Sequence, residues 1–166
     1  MKRILSTGVA VSAAVLVVTG VGVIGSSAHS KAYSAARSVR PSRATASSAL
    51  AVRRTSLGRT LVDARGRTLY LFEADRPNRS NCSSGCLNVW PALTAHGKPR
   101  AWGGAVGSKI GTIPAHGGKR QVTYAGHPLY YYVGDRKPGD VNGQGLDQFG
   151  AEWYALSPAG RKIDNG

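Results

Sequence analysis

Between residues 55 and 166 the apolar positions fall in short runs, each closed within a few residues by glycine, proline, asparagine or aspartate. No window there carries an amphipathic helix longer than about three turns, and short punctuated runs of this kind mark strands. They predict strands at 59–63, 67–73, 110–113, 120–124, 128–133 and 153–156. A single helical turn is expected at 86–90, where Pro91 stops it because proline has no N–H to continue the ladder. The predicted fold class is all-β.

Ahead of this domain the pattern changes twice. Lys2 and Arg3 precede an uncharged run at 5–28 rich in Val, Ala and Leu, followed by small residues around Ser26, Ala28 and Ser30. That order reads as a secretory signal peptide over 1–30, and the mature chain is expected to begin between His29 and Tyr33. Left uncut, the run is long enough to anchor the protein in a membrane. From 29 to 54, 13 of 26 residues are Ala or Ser, six are Lys or Arg and none is acidic. Such a segment buries too little apolar surface to offset its conformational entropy, so 31–54 reads as a disordered basic linker. It serves as a stalk, or adheres to anionic lipid or cell-wall polymer.

The formal charge of +14 is therefore uneven. The first 54 residues carry +8, whereas 55–166 sets 14 basic residues against all 8 acidic ones. A mildly basic exported domain with scattered charges is no nucleic-acid binder. It holds 11 of the 12 aromatics and 18 of the 22 glycines, enough for one core and an expected monomer. The expected partners are cell-wall polymer, an anionic lipid surface or another extracytoplasmic protein.

The domain also repeats itself. Gly66-Arg-Thr-Leu-Tyr-Leu-Phe-Glu-Ala-Asp75 aligns with Gly126-His-Pro-Leu-Tyr-Tyr-Tyr-Val-Gly-Asp135 at a constant offset of 60. Each copy is a turn glycine, a strand and an aspartate at the strand exit, followed by a loop and a tryptophan, Trp90 or Trp153. The two copies, about 56–95 and 110–158, are expected to form related antiparallel β units packed as a small sandwich or barrel-like domain. Tyr70-x-Phe72-x-x-Asp75 and Tyr130-x-Tyr132-x-x-Asp135, with Cys82-x-x-x-Cys86 and Trp90-Pro91, resemble the bacterial secreted-repeat family, predicted lipoproteins with a Yx(F/W/Y)xxD motif. The resemblance spans about 56–158; it implies an extracytoplasmic location, and it supplies no catalytic residue. No cysteine precedes Cys82, so this chain is not expected to carry a lipid on an N-terminal cysteine.

Each chemical motif has a plain structural account. The rings of Tyr70, Phe72, Tyr130 and Tyr132 would fill the core while Asp75 and Asp135 accept backbone N–H bonds of the next loop. The functional account would pair the two carboxylates around a cation or as acid and base. Cys82 and Cys86 are expected to close a local disulfide in an oxidising compartment. The alternative is a metal- or redox-linked accessory role for the pair, with His96, His116 or His127 as further ligands. Asp140-Val-Asn-Gly-Gln-Gly-Leu-Asp147 begins like a calcium loop, but Ala151 stands where the bidentate glutamate belongs, so it reads as a glycine-rich turn. No nucleophile elbow, zinc-binding His-Glu-x-x-His or phosphate loop occurs. The reading is a non-enzymatic binding or structural module without cofactor or metal.

Strand alternation adds one expectation about surfaces. With the motif rings pointing into a shared core, Leu69, Leu71, Leu129 and Tyr131 lie on the opposite face, under a loop or as an apolar patch. Tyr131 with Trp102 would then form a surface for a sugar ring or a partner chain.

Overall fold

The computed structural model describes residues 49–164, except the side chain of His116. The signal peptide expected over 1–30, and the linker as far as residue 48, lie outside the described residues. The last part of the expected linker does not: Ala49–Thr55 is strand β1, antiparallel to β2 (Gly58–Asp63) along six residue pairs. Its alanines and arginines resemble linker composition, yet Leu50 and Ala51 are buried and the arginines stand at the exposed end. The folded domain thus reaches at least six residues before the expected boundary at 55.

The other elements follow in order: β3 (Tyr70–Phe72), α1 (Ser84–Val89), β4 (Thr94–Ala95), β5 (Arg100–Ala101), β6 (Ile110–Pro114), β7 (Arg120–Tyr124), β8 (His127–Pro128), β9 (Leu146–Gln148) and β10 (Ala151–Ala155). They make three small sheets, β2-β1-β5, β3-β10-β9 and β4-β7-β6 with β8 beside β7; none closes into a barrel among the described residues. All pairings are antiparallel except the short β1–β5 contact.

The duplication is visible in the backbone. Hairpin β1–β2 opens the first repeat and hairpin β6–β7 the second. Each repeat then contributes a motif segment and a trailing segment, and the trailing segments are exchanged. Leu61 donates its N–H to Leu156 O (2.8 Å), and Val122 donates to Leu93 O (2.8 Å), so each hairpin is extended by the other repeat. Leu93 in turn donates to Leu129 O (2.9 Å) and Leu156 to Leu69 O (3.3 Å). At the crossing point Tyr70 and Tyr130 exchange backbone bonds of 2.9 and 3.0 Å. This is why 128–133 is not one continuous strand: the backbone is extended, but its partners change from Val122 to Tyr70 to Pro91 and Val89.

Period-two alternation then divides the interior. Leu69, Leu71 and Leu129 point into an aliphatic core with Leu50, Leu61, Leu93, Val122 and Leu156, and Tyr131 packs on it. Tyr70, Phe72 and Tyr130 point the other way, into an aromatic core with Trp90, Trp153 and the cystine, and Tyr132 packs on that one. The face opposite the motif rings is therefore a second core, neither an apolar patch nor a surface for ligands. Burying one large apolar side chain stabilises by roughly 1.5–3 kcal/mol, so both faces contribute.

Candidate functional site

The motif residues meet at the crossing of the two repeats, and they do so reciprocally. Tyr70 of the first copy donates its hydroxyl to Asp135 Oδ2 of the second at 2.8 Å; Tyr130 of the second donates to Asp75 Oδ2 of the first at 2.8 Å. The remaining oxygen of each carboxylate holds the following loop. Asp75 Oδ1 accepts from Asn81 N–H (2.6 Å), and Asp135 Oδ1 from Asn142 N–H (2.9 Å). Each asparagine side chain donates back to the carbonyl just before its aspartate, Ala74 or Gly134. Both carboxylates sit above their usual range chiefly because burial disfavours the charged form, an effect that the tyrosine hydroxyl and the asparagine N–H oppose.

Between these clasps the rings form one stack. Phe72 lies on Trp153 (4.1 Å between centroids, 10°), Trp153 on Trp90 (4.0 Å, 5°) and Trp90 on Tyr132 (4.5 Å, 31°). Tyr70 and Tyr130 meet Trp90 and Trp153 edge-on. Each repeat's second motif ring thus packs on the other repeat's tryptophan. Gln148 satisfies both indoles, its Oε1 accepting from Trp90 (2.9 Å) and its backbone carbonyl from Trp153 (3.0 Å). Gly143 closes over the stack, where an added Cβ would stand 2.7 Å from Trp90 and 3.0 Å from Tyr70.

A family model described as a secreted repeat of unknown function matches residues 51–94 and 111–157, the two halves of this clasp. The chain belongs to that family. No curated protein and no solved structure matches it. The first match of the secreted repeat begins inside β1, in keeping with the early start of the folded domain.

The other expected sites fall as follows. Cys82 and Cys86 form a disulfide with Cα atoms 5.3 Å apart, tying α1 to the residue before its N-cap Ser83, and α1 leads into Trp90. Among the described residues no group of three His, Cys, Asp or Glu side chains could hold a metal ion. Tyr131 is not an exposed ring: Arg67 covers its face at 3.8 Å, and its hydroxyl donates to Asp63 Oδ2 at 3.1 Å. Trp102, by contrast, is 57% exposed on the turn after β5. The two therefore do not form the expected binding surface.

Sequence reasoning missed several residues that organise the structure, notably Asp63, Asn81, Asn142 and Gln148. The asparagines had a signal, since each follows its motif aspartate by six or seven residues. Two depressions occupy equivalent places in the repeats, about 360 Å³ beside Phe72, Asp75 and His127, and about 220 Å³ beside Tyr132, Asp135 and Arg67. Burial pushes the His127 imidazolium down. A wider opening, about 700 Å³, lies beside the disulfide and is lined by Arg79, Ser80, Ala92, Ile113, Lys119 and Gln121 among others.

The clasps have a consequence at alkaline pH. Burial, then the neighbouring aspartate, pushes Tyr70 far above an ordinary phenol. Burial does the same to Tyr130, which also lies beside Asp75, and to Tyr131 beside Asp63. Above about pH 10 the unfolded chain releases protons that the folded one keeps, so stability falls as pH rises. In an ultraviolet titration of the seven tyrosines, at most four should ionise while near-ultraviolet circular dichroism persists. Five or more ionising in the folded protein would mean that at least one of Tyr70, Tyr130 and Tyr131 is not shielded in this way.

Proposed function

We propose that the domain is a non-catalytic, extracytoplasmic binding module whose twin motif is scaffold and whose contact face, around Trp102, holds anionic cell-wall polymer. The observation that carries this reading is the company Trp102 keeps. Arg54 and Arg59 are cross-strand partners on the hairpin beside it, Arg100 precedes it on β5, and the Arg59 guanidinium lies against Gly104 of the same turn. All three arginines are exposed, and none forms a salt bridge among the described residues. No Asp or Glu occurs before Asp63, which is buried and paired with Arg67, or between Asp75 and Asp135, so no exposed acid lies close to these arginines in sequence. An exposed indole stacks on a sugar ring, and guanidinium groups pair with phosphate or carboxylate. The buried disulfide is a brace for α1 in this reading.

Co-sedimentation with isolated cell-wall sacculi, with and without their anionic polymers, tests it. Trp102→Ala and the pair Arg54→Glu, Arg59→Glu should each weaken retention about tenfold or more without lowering the melting temperature, and added salt should mimic the charge change. Retention unchanged in both variants would overturn the assignment. Binding to anionic vesicles but not to sacculi would move the face to lipid.

A further inference from the structure

The internal duplication supplies its own control for the cleft beside the disulfide. Ala155 of the second repeat is bridged to Tyr70, and Ala92 of the first is bridged to Tyr130. Around Ala92 the bonds belong to its neighbours, Leu93 N–H to Leu129 O and Tyr131 N–H to Pro91 O. In such a non-hydrogen-bonded antiparallel pair, the alanine's own N–H and C=O point outward.

At Ala155 these outward groups are taken. Ile163 donates its N–H to Ala155 O (2.8 Å), Gln144 Oε1 accepts from Ala155 N–H (3.0 Å), and Lys162 bridges to Leu156. The segment carrying Lys162 and Ile163 is thus laid on the edge as an added strand, with the Ile163 side chain in the aromatic core. Ala155 is fully buried beneath it.

At Ala92 the same groups have no hydrogen-bond partner among the described residues, and Ala92 is only partly buried on the wall of the 700 Å³ cleft. The cleft has the mixed lining of a ligand site: an apolar floor of Leu87, Pro91 and Ile113, and polar groups at its margin. Its charge is the reverse of the occupied site. There, the added strand brings Lys162 to Glu73 at 2.8 Å. Here, the lining offers Arg79 and Lys119 and contains no carboxylate.

We propose that this cleft receives an extended acidic polypeptide segment of another extracytoplasmic protein, added as a strand at Ala92 as the chain's own Ile163 segment is added at Ala155. Main-chain bonds to Ala92 would hold the segment, an aliphatic side chain would enter the floor, and flanking carboxylates would meet Arg79 and Lys119. This goes beyond the polymer-binding reading and uses different residues.

The probe is a synthetic peptide of residues 157–164 carrying Arg161→Glu and Lys162→Glu, titrated into the full exported chain by fluorescence anisotropy. Saturable binding is expected. Methylating the peptide's Ile163 amide nitrogen should weaken it about tenfold, because that N–H is the donor to Ala92 O. Lys119→Glu in the protein, on the exposed β6–β7 turn, and separately Arg79→Glu, should each weaken it several-fold with the melting temperature unchanged. Absence of saturation overturns the proposal. So does equal binding of the methylated peptide, which would reduce the interaction to charge. Tighter binding of the unaltered 157–164 peptide would show instead a site for a second copy's C-terminal segment.

Discussion

Trp153→Ala is expected to abolish cooperative folding of the domain. Trp153 is fully buried on the central strand of sheet β3-β10-β9, stacked between Phe72 and Trp90, with Tyr130 on its edge. Deleting a core tryptophan costs about 3–5 kcal/mol, and each aromatic pair adds about 0.5–1.5 kcal/mol beyond burial. A loss of about 5–9 kcal/mol is comparable to the 5–15 kcal/mol that usually separates folded from unfolded chains. The near-ultraviolet circular dichroism spectrum and the sigmoidal urea transition should both disappear. Trp102→Ala, at an exposed position, should change stability by less than about 0.5 kcal/mol. A cooperative transition retained in the Trp153 variant would mean that the stack does not join the repeats.

The reason for so large an effect is the exchange of segments. Neither repeat can complete its own hairpin extension, since Leu61 needs Leu156 and Val122 needs Leu93. Each clasp and each stacked ring pair likewise joins one copy to the other. The duplication is therefore a single cooperative unit, and the Tyr-x-aromatic-x-x-Asp pattern has a physical cause. Its first ring carries the hydroxyl that must reach the other copy's carboxylate, and its second ring must stack without needing a polar partner. That explains why Phe72 and Tyr132 are interchangeable at the second position while tyrosine occupies the first in both copies.

How far the sequence discloses this differs by feature. The alternation in Leu69-Tyr70-Leu71-Phe72 and Leu129-Tyr130-Tyr131-Tyr132 assigns each side chain to a face, because period two leaves no other choice. It does not reveal that the second face is also a core, since that depends on hairpin residues 50–62 and 121–124 folding over it. Asp75 and Asp135 were recognisable as loop-holding groups, yet their tyrosine partners lie 55 and 65 residues away. No local pattern encodes a partner at that distance. β1 was hidden because Ala and Arg dominate it, and its strand character comes from pairing with β2, not from propensity. Trp102 and Tyr131 looked equivalent as polar-tipped aromatics; Asp63 and Arg67 decide that only one of them is free.

Asp63 supports the second large prediction. Its side chain is buried and accepts from the backbone N–H groups of Arg65 (2.8 Å) and Arg67 (3.0 Å), from Arg67 Nε (2.9 Å) and from the Tyr131 hydroxyl (3.1 Å). Arg67 Nη2 completes a two-pronged ion pair with Oδ2 at 2.8 Å. One carboxylate thereby fixes the β2–β3 turn, the arginine that covers Tyr131, and the ring that closes the aliphatic core. Asp63→Ala should cost about 2–4 kcal/mol, because it orphans two N–H groups and a buried hydroxyl and releases the guanidinium. Arg67→Ala should cost distinctly less, since the guanidinium is partly solvated while Asp63 keeps its other donors. Asp63→Asn should fall between them, retaining an acceptor without the charge. Urea melts of the three variants give the order, and an arginine variant as destabilised as the aspartate one would show that the ion pair, not the turn it organises, is what stabilises this corner.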